Sequence, residues 1–590
     1  MVAGYQEIRL NLKAESLSAL GMTALYDSLD VANDLTLENS STLIVESTDL
    51  KIGKDFVLND GAKVQVRSAA DGLELNRVVL NTNEESYFQA YRNLKVKEIQ
   101  VTGSVGRIET WADGGNSSLD IGKVVVNENS AVVFENGGTY DGHTSTASVD
   151  TVTLGNGASL INAPGSHGGE ATPAFEGLQI GSIGGTNATI ANANLDGSMS
   201  IGTLTGSNNT IEVQTIDQGV TVNNNQSTGL VYQSLGDDAD KYGTQGALQK
   251  IADMIQSSEQ GFTAKVADGL VDGAGQAEFN AAGEMTSMSK SESLTMSALK
   301  QFNNATLAQW RYETNHLSER LGEVRNNLGE AGAWARIYGA DSKITDNVTT
   351  EVQTNTIQVG GDVTVGGNWI VGGAFSYTSM DGDISNGAAD GETYTLAAYA
   401  SGFFDCGGYV DVIGRVGRMS TDIDAFTSSG SRFDGSYNNT ALGLSIETGY
   451  HWNINQTFFV EPQAELSYGY VFGDDFSTSS RVQVEQDNFQ SLVGRLGARF
   501  GATFPDNAGT FYFQASVNHE FLGDNDFDAG LEGQTKQHFS SELDGTWVSY
   551  GLGVQFSATD ALSVYGSLSR ADGDDYQDDY RYSVGLRYVF

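Results

Sequence analysis

From Ala331 to Phe590 the chain alternates apolar and polar residues with period two, in segments of about ten residues divided by Gly, Asp and Asn turns. Successive side chains of a strand point to opposite faces, so each segment carries one apolar and one water-compatible face. Between Phe458 and Phe472 one face bears Phe458, Val460, Pro462, Ala464, Leu466, Tyr468, Tyr470 and Phe472. The other, apart from Phe459 and Val471, bears Glu461, Gln463, Glu465, Ser467 and Gly469. The last segment sets Tyr580, Tyr582, Val584, Leu586, Tyr588 and Phe590 against Arg581, Ser583, Gly585, Arg587 and Val589. About twelve such segments begin near residues 331, 354, 368, 392, 408, 440, 457, 489, 509, 544, 561 and 579. An even count, aromatics towards the ends of the apolar face and a polar second face fit an up-and-down transmembrane β-barrel, water-filled or plugged. A soluble sandwich does not explain aromatics directed away from the polar face up to Phe590.

A second periodicity precedes the first. Between about Leu29 and Tyr232, short apolar segments are separated by Asn, Gly, Ser and Asp. The unit Leu37-Glu-Asn-Ser-Ser-Thr-Leu43-Ile-Val45 recurs 21 residues later as Leu58-Asn-Asp-Gly-Ala-Lys-Val64-Gln-Val66. Related units begin at Val126 and Leu154, and the stretch from Ile180 is matched 21 residues on from Ile201. A repeat near twenty residues with two short strands around an Asn/Gly turn predicts a β-solenoid, a right-handed parallel β-helix in which each rung buries its apolar positions against its neighbours. The fold class is therefore all-β with a short helical part.

Between Asp237 and Asn327 the period shifts to 3.6. Ala247 to Ile255 reads as a short helix, followed by a polar Gly/Ala-rich stretch through Ser293. Leu299, Phe302, Leu307, Trp310, Leu317, Leu321, Val324 and Leu328 then recur at mostly three- and four-residue steps, predicting one amphipathic helix of roughly 30 residues. Its other face carries Lys300, Arg311, Glu313, Glu319, Arg320, Glu323 and Arg325. The chain thus divides into a solenoid over 1–236, its end and linker over 237–293, a helix over 294–328 and a barrel over 329–590.

Charge narrows the partners. Asp and Glu number 75 against 32 Lys and Arg, a net −43, which excludes a phosphate-backbone binder and so nucleic acid. The single Cys406 removes disulfides, and no Cys/His cluster offers a metal site, so neither metal nor cofactor is expected. Met1 to Tyr26 shows no basic segment followed by an apolar core, and the expectation is an N-terminally incomplete precursor.

The order helix, Gly329-Glu-Ala-Gly-Ala-Trp-Ala-Arg-Ile337, Tyr409-Val-Asp-Val-Ile-Gly414, Glu461-Pro-Gln-Ala-Glu-Leu-Ser-Tyr-Gly469 and a terminal Phe590 resembles the translocator domain of bacterial autotransporters, the type V secretion family. The resemblance runs from near residue 290 to the end, and the solenoid looks like that family's passenger. It implies a barrel in a Gram-negative outer membrane in contact with lipid, a helix in its lumen and a passenger at the cell surface. The ending Tyr588-Val589-Phe590 is similar to the signal read by the barrel-assembly machinery.

Some members of the family cut the chain inside the barrel by cyclisation of an asparagine, at an Asn-Asn pair fourteen residues before the Gly-Glu-Ala that opens the barrel. The corresponding pair is Asn315-His316, with histidine in place of the second asparagine. The resemblance carries the supporting acids onto Asp411, Glu447 and Glu465. Alternation independently puts Asp411 on the face of Arg415 and Gly417, Glu447 with Ser445, Gly449 and His451, and Glu465 on the polar face of its segment. Carboxylates in a confined lumen suit proton movement. Three readings stay open: self-cleavage, uncleaved surface display, and a general porin.

The solenoid carries no Gly-Asp-Ser-Gly, HExxH or Walker motif, and His143 and His167 fall in Gly/Ser/Thr-rich loops. The chain is therefore expected not to be a turnover enzyme, and its passenger to be an adhesin or surface-structural element that meets a host or surface glycan or protein. A hydrolase or lyase activity of the passenger is the alternative.

Overall fold

The structure, a computed structural model, describes residues 2–3, 6–8, 12–14, 17–46, 50–67, 73–82, 86–112, 116–139, 145–164, 166–167, 170–171, 177–193, 197–312, 317–322, 324, 331–346, 348–505 and 508–590. They fall into two units, Met1–Glu292 and Ser293–Phe590.

In the first unit, two long sheets of mainly parallel strands share the length of a solenoid, a third three-stranded parallel sheet joins them over the first rungs, and successive strands take their places in these sheets in turn. The repeat sets the register. Leu37 pairs with Leu58, Leu43 with Val64, Ile180 with Ile201 and Val126 with Leu154. Because parallel pairing stacks equivalent positions, apolar residues form columns. Leu37, Leu58, Leu80, Val101, Val126 and Leu154 succeed one another through six rungs, each at most 4% exposed. Burial of each stabilises the coil by about 1.5–3 kcal/mol relative to exposure. The asparagines belong to the turns: Asn39, Asn129, Asn187 and Asn208 have φ of 46, 56, 51 and 52°, a left-handed conformation that asparagine tolerates better than most residues.

The segment read as a polar linker is ordered as the end of the solenoid. Helices α1 (Asp238–Tyr242) and α2 (Thr244–Asp253) are followed by strands Phe262–Val266, Gly275–Phe279 and Met285–Lys290. The first strand continues the parallel sheet and the next two fold back antiparallel, with Phe262 stacked on Phe279 at 5.1 Å between ring centroids. The short alternation Phe262, Ala264, Val266 is buried only because the last rung supplies a surface for it. Buried Asp240 accepts the backbone N–H groups of Leu270, Val271 and Asp272 at 2.6, 2.9 and 2.7 Å. Asp240→Ala leaves these donors without their acceptor, and we expect a loss of about 3 kcal/mol in urea unfolding of residues 1–292.

In the second unit, twelve long strands close into a barrel: β1 (Ala331–Asp346), β2 (Val348–Val365), β3 (Trp369–Ile384), β4 (Gly387–Phe403), β5 (Gly408–Phe426), β6 (Arg432–Tyr450), β7 (Phe458–Phe472), β8 (Phe489–Thr503), β9 (Gly509–Glu520), β10 (Gly545–Ser557), β11 (Leu562–Gly573) and β12 (Tyr576–Val589). Each pairs antiparallel with its sequence neighbours, and β1 pairs with β12, which removes the edges. The outer face exposes Leu396, Leu466, Leu496, Val584 and Leu586, and Phe590 is 72% exposed. Phe459 and Val471, the exceptions to the alternation, point inward. Phe459 stacks on His451 and Val471 joins a cluster around Trp310.

Several strands start earlier than the alternation predicts, β2 at Val348 and β6 at Arg432. Past the apolar band the outer face turns acidic, as at exposed Asp381, Asp390 and Asp422, so alternation fades while the hydrogen-bond ladder continues. Beyond the barrel end, segments from the β7–β8 and β9–β10 connections form a four-stranded sheet. Among the described residues no helix is long and apolar enough to cross a membrane.

Candidate functional site in the barrel lumen

Within the helix expected over 294–328, the described residues form α3 (Leu294–Tyr312) and α4 (Leu317–Leu321). Ser293 caps α3 by accepting the N–H of Met296 at 3.1 Å. α4 ends at Gly322, whose φ of 70° suits a glycine just past a helix. The charged face of the helix is enclosed: Glu319 is 7% and Arg320 2% exposed. Both faces of the helix are buried because the barrel wall around it is polar.

Side chains of the barrel wall and of the four-stranded sheet beyond its end hold α3. Asn303 and Asn304 bond Asn525 and Ser541 at 2.8 and 3.1 Å, and Thr306 meets Thr421 and Tyr437 at 3.2 and 2.9 Å. Trp310 donates its indole N–H to the Leu442 carbonyl at 3.2 Å. Arg415 lies 4.2 Å over the Trp310 ring and donates to the Trp310 carbonyl at 2.7 Å.

Asp411, Glu447 and Glu465 all lie inside the barrel, on β5, β6 and β7. The ladder places them directly across from one another, Asp411 opposite Glu447 and Glu447 opposite Glu465. Ser401 on β4 and Arg495 on β8 extend the row at either end. Like charges directly opposite on an antiparallel pair repel, so three carboxylates in one row need cations nearby. Arg495 is one, bonding Glu465 at 2.9 Å and reaching Glu447 at 3.3 Å. Arg320 of α4 is the other, 2.7 Å from Asp411.

A second layer orients the acids. Tyr409 donates its hydroxyl to Glu447 and accepts from Gln463 at 3.0 Å, and Ser401 donates to Asp411. Arg495 donates to Gln463 at 3.2 Å. Leu317, the residue after the Asn315-His316 pair, donates its backbone N–H to Glu447 at 3.4 Å. A polar cavity beside α4, bordered by Glu319, Arg415, Glu465, Arg495 and Asn518, leaves the row room for water.

Asn315, His316 and His143 lie outside the described residues. Sequence reasoning missed Arg495, Tyr409, Gln463 and Ser401 as parts of the site, and treated Arg320 as one polar residue of a helix face. Parity marks all of the wall residues except Tyr409's role as lumenal, but only the pairing of strands shows that they form one row. Among the described residues no group of three or more His, Cys, Asp or Glu is placed to hold a metal ion.

Residues 333–569 match the autotransporter beta-domain family. The C-terminal barrel is an autotransporter β-domain. With its belt of exposed Leu, Val, Phe and Tyr side chains it belongs in the outer membrane. The chain is 29% identical to YaiT of Escherichia coli K12 over 290 residues, 48% of this chain and 29% of that protein. It is 29% identical to the pertactin autotransporter of Bordetella parapertussis over 288 residues, 47% of this chain and 31% of that one. The chain thus spans about a third of the length of these relatives. Among solved structures, the translocator domain of the autotransporter NalP from Neisseria meningitidis is similar to 50% of this chain and all of that one, with TM-score 0.42 and 17% identity.

One expectation is corrected. The absence of catalytic motifs led to the conclusion that the chain is not a turnover enzyme. Relatives sharing the autotransporter β-domain include the serine protease EatA of Escherichia coli, 29% identical over 292 residues, 47% of this chain and 20% of that protein. A protein with a similar barrel region can thus be a protease, and enzymatic activity stays open for this chain. The physical reason is that the similarity lies in the barrel, whose lumen imposes nothing on the chemistry of the segment it carries.

Proposed function

We propose that this autotransporter delivers the solenoid of residues 1–236, with residues 237–293 as its end and linker, to the cell surface. Residues 294–328 occupy the barrel of residues 329–590, and the chain is then cut between Asn315 and His316. The amide nitrogen of Asn315 attacks its own main-chain carbonyl, forming a five-membered imide. The Asn315–His316 C–N bond breaks, and the proton lost by the amide passes to the departing amine of His316. The observation that supports this reading is the in-register row of Asp411, Glu447 and Glu465, with Glu447 accepting the N–H of Leu317 two residues from Asn315. Carboxylates so placed can orient the amide and relay its proton, work worth typically 10²–10⁴-fold in rate.

Gel analysis of outer membranes tests it. The wild type gives a barrel fragment beginning at His316, and Asn315→Asp gives only the full-length band. If both give full-length protein alone, cleavage is wrong. Uncleaved display is the second reading, and the histidine at 316 favours it. Tyr588 and Phe590, stacked edge to face at 5.1 Å and exposed, are the residues we assign to recognition by the barrel-assembly machinery. For the solenoid we propose an adhesive or surface-structural role towards a host or surface glycan or protein.

A further inference from the structure

Arg320 does more than balance a charge. Its guanidinium donates to Asp411 at 2.7 Å and approaches Ser401 at 3.4 Å, while its plane lies 4.2 Å over the ring of Tyr399. Its main-chain carbonyl accepts the Tyr565 hydroxyl at 2.5 Å from another part of the barrel wall. Two residues later, a Cβ on Gly322 would lie 2.4 Å from Gln555. One helical residue is thus gripped from the β4–β5 side through its side chain and from the β11 side through its backbone.

The grip also depends on residue type. A lysine ammonium can pair with Asp411 but cannot offer a planar, stacked group to Tyr399 at the same time. No arginine occurs between Arg107 and Arg311, whereas Arg311, Arg320 and Arg325 follow within 15 residues. Over that long interval the chain holds lysines only, so no residue of the solenoid's second half can occupy the Asp411–Tyr399 seat as Arg320 does. A slip of one turn would move the helix by about 5.4 Å and carry Leu317 away from Glu447.

We infer that Arg320 is the positioning residue that sets the register of the helix against the acid row, and so holds Leu317 at Glu447. This rests on the cleavage reading above, but its test does not need cleavage to occur. In full-length protein in outer membranes, with Cys406→Ser, a single cysteine at Leu321, which is 1% exposed, reports whether α4 is seated. A cysteine at Leu317, which is 5% exposed, gives a second report should the first substitution disturb packing.

With Arg320 present, both cysteines resist a water-soluble maleimide. Arg320→Ala is expected to raise the labelling rate at least tenfold, Asp411→Asn to do the same, and Arg320→Lys to fall between. Cleavage falls in the same order, whereas Asn315→Asp abolishes cleavage without changing labelling. Unchanged labelling in Arg320→Ala at both positions overturns the inference. Absence of any wild-type cleavage with labelling that follows Arg320 overturns the cleavage reading and leaves the register role standing.

Discussion

Replacing Arg587 with leucine is expected to lower the temperature at which the barrel survives in detergent by on the order of 10 °C, the equivalent of about 3–5 kcal/mol. Arg587 on β12 forms two parallel bonds of 2.6 Å each to Asp362 on β2, and the side chains are 5% and 1% exposed. The pair arches over β1, the strand between them. It passes so close to Gly332 that a Cβ there would lie 2.5 Å from the guanidinium. It therefore clasps the seam where the first and last strands meet, which is the place where closure is won or lost. Without the arginine, Asp362 loses both bonds to the guanidinium and keeps the Tyr399 hydroxyl, which donates to it at 2.9 Å. An unpaired buried carboxylate costs more than the pair contributes, so the double variant Asp362→Leu/Arg587→Leu should recover most of the loss. Heat-modifiable mobility on gels measures this. Equal midpoints for the wild type and Arg587→Leu would remove the clasp from the account.

Substituting leucine for Gly417 is expected to expel the helix and open the pore. A Cβ at 417 would lie 2.5 Å from the Trp310 ring and 3.3 Å from Thr395, so even alanine is crowded and leucine does not fit. Trp310 is 1% exposed, and moving it forfeits its stacking with Arg415 and its bond to Leu442. Overpacking of this kind costs about 1–3 kcal/mol. The strand itself tolerates the change, since residue 417 on β5 pairs with Thr395 on β4 and Ala441 on β6 in the ordinary ladder. The barrel should therefore still form, and its single-channel conductance in planar bilayers should rise several-fold over the wild type. A conductance that stays at the wild-type level would mean that the helix is held independently of Trp310.

The two periodicities were legible because each encodes a face. In the barrel, parity alone separated Leu466 from Glu465 and Leu586 from Arg587, and the lipid and lumenal sides follow. In the solenoid, the 21-residue offset corresponds to the pairing of Leu37 with Leu58. Where neither period was strong, reading failed. The strands of 262–290 alternate over too few residues to be distinguished from a polar linker, and they form because the solenoid's last rung offers them an edge. Amphipathicity alone ordinarily implies solvent on one side of a helix. A lumen lined by Asn, Thr and Arg buries the polar face as well. The enzyme exclusion failed for another reason: a missing motif in the passenger has no bearing on what other chains with this barrel carry.

The sequence by itself determined that the chain is a solenoid followed by a membrane barrel, and which way Asp411, Glu447 and Glu465 face. Side-chain direction is a local property, settled by the period of each strand. Only the tertiary structure decided which residues are neighbours across strands. Asp411, Glu447, Glu465 and Arg495 are scattered over 85 positions of the chain, yet the ladder sets them side by side. That register depends on connection lengths and on closure of β12 against β1, which no single segment encodes. The choice of Arg320 as the partner of Asp411 is likewise tertiary, because it requires the helix to be seated inside the barrel at one depth.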